Sequence, residues 1–145
     1  MSPFVVTGLL IALVALATAL GFVYRSRSGR VRGADGRTII RAADIPGIDV
    51  FGPRATLLQF STEVCAPCKP TRALLGAIAG ESADVQHIDV DLTHLPSVAS
   101  RFNILQTPTT FILDGQGVVR TRIGGAPRRA DVREALDRIL TLESA

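Results

Sequence analysis

The sequence predicts an α/β domain with a mixed central sheet behind one apolar helix, and three observations predict it. Residues 1–24 carry no charged side chain and are dominated by Val, Leu, Ile, Ala and Phe. Beyond residue 54, short apolar runs of strand length alternate with stretches of helical periodicity. A Cys65-Ala66-Pro67-Cys68 pair stands where the first central strand gives way to a helix.

The apolar run comes first. A helix over residues 4–24 is about 31 Å long at 1.5 Å per residue, which matches a hydrocarbon core of roughly 30 Å. Ala17-Thr18-Ala19 has the small-x-small form of a cleavage site, but it lies inside the run, and no Lys or Arg precedes it. Residues 1–24 are therefore expected to be an uncleaved anchor in the lipid bilayer. Arg25, Arg27, Arg30 and Arg32 follow at once, and residues 33–145 then hold 12 basic and 13 acidic side chains. The basic excess belongs to the membrane border, where anionic headgroups suit it; the soluble part offers no nucleic-acid footprint. Positive flanks stay inside, so residues 25–145 are expected on the cytoplasmic side. The overall apolar fraction of 47 % is inflated by the anchor.

Residues 25–36 read as a basic, Gly-rich linker, with Gly29, Gly33 and Gly36 loosening it. The domain occupies residues 37–145. Residues 38–41 suggest a short edge strand, and Pro46-Gly47 and Gly52-Pro53 mark turns. Strands are expected at 55–60, 85–90, 109–113 and 118–123, the last two joined by the hairpin signal Asp114-Gly115-Gln116-Gly117. Helical spacing appears at 72–80, at 96–102, and from Asp131 onward, where Glu134 completes a capping box. The order is β-α-β-α-β-β-α. Strands flanking each helix should be parallel, the hairpin should add an antiparallel edge, and helices should cover both faces.

The cysteine pair carries the chemistry. Two thiols spaced by two residues close a disulfide without unfolding a helix, and strand-then-helix is the context that gives the motif meaning. Cys65, nearer the helix amino terminus, feels unpaired N–H groups and the positive end of the dipole, which favour thiolate. Lys69 adds positive potential, and Cys68 is the more buried, resolving thiol. An inert pair or half a zinc site are the rival readings. No other cysteine exists, and His87 and His94 lie far away in sequence, so four-ligand zinc would need both to converge on the pair. Neither metal nor cofactor is expected.

With these pieces in place, residues 55–142 resemble the thioredoxin family. The resemblance rests on 60–69 (FSTEVCAPCK), Ile88-Asp89-Val90-Asp91, Phe102-Asn103-Ile104, Thr107-Pro108-Thr109 and Gly124. It implies a thioredoxin-like fold, with Cys65 attacking a substrate disulfide and Cys68 resolving the mixed disulfide. It further implies that Pro108 is the cis-proline facing the cysteines, that the Thr107 backbone docks an extended substrate, and that Gly124 edges the groove.

Several residues depart from the family pattern. Val64 replaces the usual tryptophan, Ala66 precedes Pro67 where glycine is usual, and the helix proline moves to Pro70. Gln59 stands where a buried aspartate is common; that carboxylate relays a proton when the second cysteine attacks, whereas Gln59 does not titrate. The implied activity is protein-disulfide reduction through transient mixed disulfides with protein partners. A tethered interaction or scaffold module of the same fold is the alternative that Gln59 and Val64 raise. The segment 107–114 (TPTTFILD) is similar to membrane-anchored extracytoplasmic members, which opposes the cytoplasmic placement; those members carry an insert for which residues 80–85 leave no room. Asp89 and Asp91 read as solvated strand-end acids, Phe60, Phe102 and Phe111 as core, Asn103 as a left-handed helix terminus, and His94 as exposed.

Overall fold

A computed structural model describes residues 3–27, 30–34 and 36–142. Gly29 of the expected linker lies outside the described residues.

Helix α1 runs Pro3–Arg27. Its span Pro3–Tyr24 is long and apolar enough to cross a membrane and is 0 % buried within the protein; a signal sequence passes the same test. The hydroxyls of Thr7 and Thr18 donate to the carbonyls of Pro3 (2.9 Å) and Val14 (2.8 Å), so the helix satisfies its own polar groups.

Five strands form one sheet in the order β1-β5-β4-β2-β3: β1 Arg30–Gly33, β2 Ala55–Ser61, β3 Val85–Asp91, β4 Thr109–Asp114 and β5 Val119–Gly124. Helices α2 Cys68–Ala79, α3 Pro96–Arg101 and α4 Arg129–Leu142 complete the domain. β2 is buried at all seven positions, the polar Thr56, Gln59 and Ser61 included. It pairs parallel with β3 and antiparallel with β4.

Because side chains alternate across a strand, β2 sorts its residues to two faces. Ala55 and Leu57 meet Leu75 and Ile78 of α2 and Val132, Leu136 and Ile139 of α4. Leu58 and Phe60 meet Val98 of α3 and Phe102 at its C-cap, with Ile40 and Ile45 from the preceding segment. Phe60 is the centre of that second core, 5.2 Å edge-on from Phe111 and 5.9 Å from Phe102, a geometry that aromatic quadrupoles favour.

Four expectations need correction. Residues 30–33 of the expected linker are a strand, pairing with β5 from Arg30↔Gly124 to Gly33↔Thr121; short polar edge strands lack the apolar alternation by which strands are read. Residues 38–41 make only an isolated bridge, Ile39↔Val118. Only the first crossover is parallel: β3 runs with β2 and β4 against it, so the chain after α3 enters the sheet from the opposite end. Helix α4 begins two residues before Asp131, which lies in its first turn and complements the dipole there without forming the cap.

The hairpin signal holds. Asp114 Oδ1 accepts from the N–H groups of Gln116 and Val118, both at 2.9 Å, and its Oδ2 from Arg120 Nε at 2.7 Å. Gly117 has φ 78°, and a Cβ there would lie 2.3 Å from the Ile40 carbonyl oxygen. Gly117→Ala is therefore expected to lower stability by about 2–4 kcal/mol, read by urea unfolding of the detergent-solubilised chain. Gly33→Ala, whose Cβ meets nothing within 4 Å, should show no such loss.

Candidate functional site

The carboxyl end of β2 delivers the chain to the cysteines, and its register decides what surrounds them. Phe60 pairs with Thr109, the first residue of β4, and Ser61 with Asp91, the last of β3. The segment leaving β2 thus emerges beside the turn that enters β4. The bond between Thr107 and Pro108 in that turn is cis, as the family resemblance implied, and Pro108 is buried. The hydroxyls of Thr62 and Thr107 share a 3.1 Å hydrogen bond, tying the two loops together.

Cys65 and Cys68 are joined by a disulfide with their Cα atoms 5.4 Å apart, within the usual range. The Cys68 N–H donates to the Cys65 carbonyl at 3.1 Å. Helix α2 starts at Cys68, with Pro67 as its cap, so Cys65 lies just ahead of the helix and not in its first turn. Pro70 falls at the third helical position, where an N–H has no intrahelical partner to lose, so the proline costs the helix no backbone bond. Cys65 is half-buried and Cys68 is 3 % exposed. Around them Val64 is 98 % exposed, and Ala66, Pro67 and Lys69 are exposed too. The apolar Val64, Ala66 and Pro67 beside Cys65 are flanked in sequence by the exposed Glu63 and Lys69.

Beneath the pair lies Gln59. Strand alternation puts it on the face of β2 that α2 covers, and it is 0 % exposed. Its Nε2 donates to the Cys68 carbonyl at 3.0 Å, and its Oε1 lies 3.2 Å from His87 Nε2. With the amide nitrogen committed to a carbonyl, the amide oxygen must accept, so His87 carries its proton on Nε2. His87 stood out in the sequence only as a distant histidine. Once Leu57 and His87 are registered across β2 and β3, alternation places it on the same face as Gln59. Asp89, two residues on, pairs with Arg72 of α2, and its Oδ1 is buried without a partner. It is not the solvated strand-end acid that its position suggested.

Asp91 accepts from both the N–H (2.8 Å) and the hydroxyl (2.5 Å) of Thr93, whose oxygen accepts from the Glu63 N–H at 3.0 Å. Those Thr93 bonds, side chain first, hold the Asp91 carboxyl below its ordinary pKa and brace the loop ahead of Cys65. Thr93 was not singled out in the sequence, because a hydroxyl in a polar loop has no signature until its partner is known. Gly125 donates to the Pro108 carbonyl at 2.8 Å. A Cβ on Gly124 would meet Gln106 Nε2 at 2.3 Å, so the expected groove-edge glycine lies under the Gln106 side chain. Asn103 is left-handed, φ 51°, and His94 is exposed, both as expected.

Burial lowers the His87 pKa from 6.5; Asp89 opposes this and Arg72 reinforces it. The folded protein therefore holds the neutral ring longer than the unfolded chain does. Its contribution is fully present above about pH 6.5 and is lost as pH falls through the lower folded value. His87→Gln should flatten the fall in unfolding free energy over that window, measured by urea titration at several pH values. Parallel curves for the two proteins would contradict the assignment.

Comparison with known proteins agrees with this geometry. The family model described as Thioredoxin matches residues 51–138. The thioredoxin of Mycolicibacterium smegmatis is 31 % identical over 107 residues, covering 71 % of this chain and 96 % of that protein. The thioredoxin of Streptomyces clavuligerus is 26 % identical over 80 residues, 55 % of this chain and 75 % of its own length. The solved thioredoxin of Fasciola hepatica superposes with a TM-score of 0.52 at 24 % identity, over 60 % of this chain and 82 % of that one, and so attests the fold. With the family model spanning residues 51–138 and a buried strand that delivers a Cys-x-x-Cys disulfide to a helix start at the sheet end where the chain enters β4 through a cis-proline, the chain belongs to the thioredoxin family.

Proposed function

We propose that the protein is a membrane-tethered thiol–disulfide oxidoreductase that reduces disulfides of protein substrates. The observation that carries this reading is the asymmetry of the pair: a half-buried Cys65 ahead of the helix and a Cys68 only 3 % exposed.

In the reduced protein, the Cys65 thiolate attacks one sulfur of a substrate disulfide. A Cys65–substrate disulfide forms, and the other substrate sulfur leaves as a thiolate that takes up a proton. Cys68, after losing its proton, attacks the Cys65 sulfur and expels the second substrate thiol. Two electrons pass to the substrate, and the Cys65–Cys68 disulfide remains until a dithiol reductant restores it. The half-buried position just ahead of the helix favours the Cys65 thiolate. Gln59 holds the Cys68 carbonyl but cannot accept a proton, so the Cys68 proton leaves to water. Thr107 offers its backbone to an extended substrate segment, with Pro108 and Gly124 shaping the ground on which it lies.

The tether is α1, inserted as a single span. Four arginines at 25, 27, 30 and 32 favour retention of that flank, and hence of the domain, on the cytoplasmic side. There the glutathione and thioredoxin pools favour the dithiol, and reduction is the net direction.

Cys68→Ser should accumulate covalent complexes through Cys65, visible as reductant-sensitive bands, whereas Cys65→Ser should abolish exchange. Absence of turnover with every protein disulfide tried would leave a tethered interaction module instead. Side is read separately, by a membrane-impermeant maleimide on intact cells after mild reduction, with a lysed control. Labelling of Cys65 only after lysis is expected; labelling before lysis would place the domain outside.

A further inference from the structure

Beside the cis-proline turn lies a groove of about 640 Å³ that the redox pair does not account for. Arg32 of β1 and Arg122 of β5 wall it, with Gln106, Thr109 and Gly124 towards the turn and Leu105 at its rim. The two arginines are register partners on adjacent antiparallel strands, so they share one sheet face. Like charges directly opposite one another destabilise a strand pair.

Several other arginines of the domain are placed differently. Arg72, Arg101, Arg120, Arg129 and Arg133 each sit on a carboxylate. Among the described residues no carboxylate pairs with Arg32 or Arg122, and no acidic residue lines the groove. Arg122 is nevertheless held in place. It donates to the carbonyls of Phe102 (3.3 Å) and Asn103 (2.6 Å), and its guanidinium lies 5.1 Å from the centre of the Phe111 ring. Two of its five N–H groups are thereby used. Burial first, and then the charge of Arg32, pulls its pKa down, as expected for a cation lacking an anion. Leu105, 84 % exposed, offers apolar ground next to the charge.

We infer that this groove seats an acidic side chain of the protein substrate, a few residues along the chain from the cysteine that Cys65 attacks. The inference rests on the oxidoreductase reading above and names the substrate class it favours. A segment lying along the Thr107 backbone passes Pro108, whose carbonyl is bonded to Gly125, and reaches the groove at Gly124 and Thr109. A Glu or Asp there meets two guanidinium groups with donors to spare, and a Lys or Arg meets like charge.

The test uses the full chain in neutral nanodiscs with a dithiol reductant. Its substrates are three peptides with one disulfide each, identical except for Glu, Ser or Lys three residues from the reactive cysteine. The Glu peptide should be reduced faster than the Lys peptide by about threefold to tenfold in kcat/KM, with Ser between them and the spread narrowing in high salt. Arg32→Glu should reverse the order. Arg138→Glu, the same charge change on the exposed face of α4, should keep it, which separates the groove from long-range steering. Equal rates for the three peptides, or an unchanged order in Arg32→Glu, would defeat the groove alone. No reduction of any peptide would defeat the oxidoreductase reading and this inference with it. Loss of the preference in nanodiscs containing phosphatidylserine would give the groove to lipid headgroups and overturn the proposal.

Discussion

Burial of β2 on both faces is the constraint on which the rest of the domain depends. A strand without water on either side must give every N–H and C=O to a neighbouring strand, and β2 does so through seven parallel partners in β3 and six antiparallel partners in β4. Its side chains then have no freedom of face, because a slip of one residue would exchange the two cores. Leu57 goes under α2 and α4, and Phe60 goes to α3. The cysteines inherit their position from this arrangement. They follow the last paired residue of β2 closely, and the turn into β4 arrives at the same end of the sheet.

The same alternation accounts for the polar layer beneath the pair. Gln59, His87 and Asp89 occupy the α2 face at positions where Val or Leu would simply extend the core. Burying these groups is tolerable because most find partners: the amide spans from the Cys68 carbonyl to the imidazole, and Asp89 reaches Arg72. A neutral amide at this depth avoids the desolvation penalty of a carboxylate and gives up the ability to take a proton. The layer thus fixes the backbone at Cys68 with a group that does not titrate.

The opposite edge of the sheet follows a different logic. β1 is a short strand rich in arginine and glycine, the kind of edge that resists adding another strand. It joins the apolar helix to the domain through main-chain pairing with β5. Arg32 thus lies in the sheet as well as in the basic flank that follows the apolar run. Of the four border arginines, Arg25 and Arg27 fall within α1 itself.

What the sequence determined by itself was local. Apolar length marked α1, a short apolar run ahead of the cysteines marked β2, and Asp-Gly-Gln-Gly marked the hairpin. Helical spacing marked α2, α3 and α4 to within a few residues, and the Cys65–Cys68 spacing set the chemistry. The family resemblance added the cis bond before Pro108, which no composition or periodicity of this chain would reveal. Tertiary structure decided what depends on register between distant segments. It turned β4 against β2, made a strand of residues 30–33, brought His87 to Gln59 and Thr107 to Thr62, and set Arg32 opposite Arg122. The division has a physical reason. Turn chemistry, apolar periodicity and cysteine spacing act over one or two turns of chain, and their signatures are printed there. A hydrogen bond between residues 28 positions apart exists only after two strands have been aligned, and neither residue carries a mark of it beforehand.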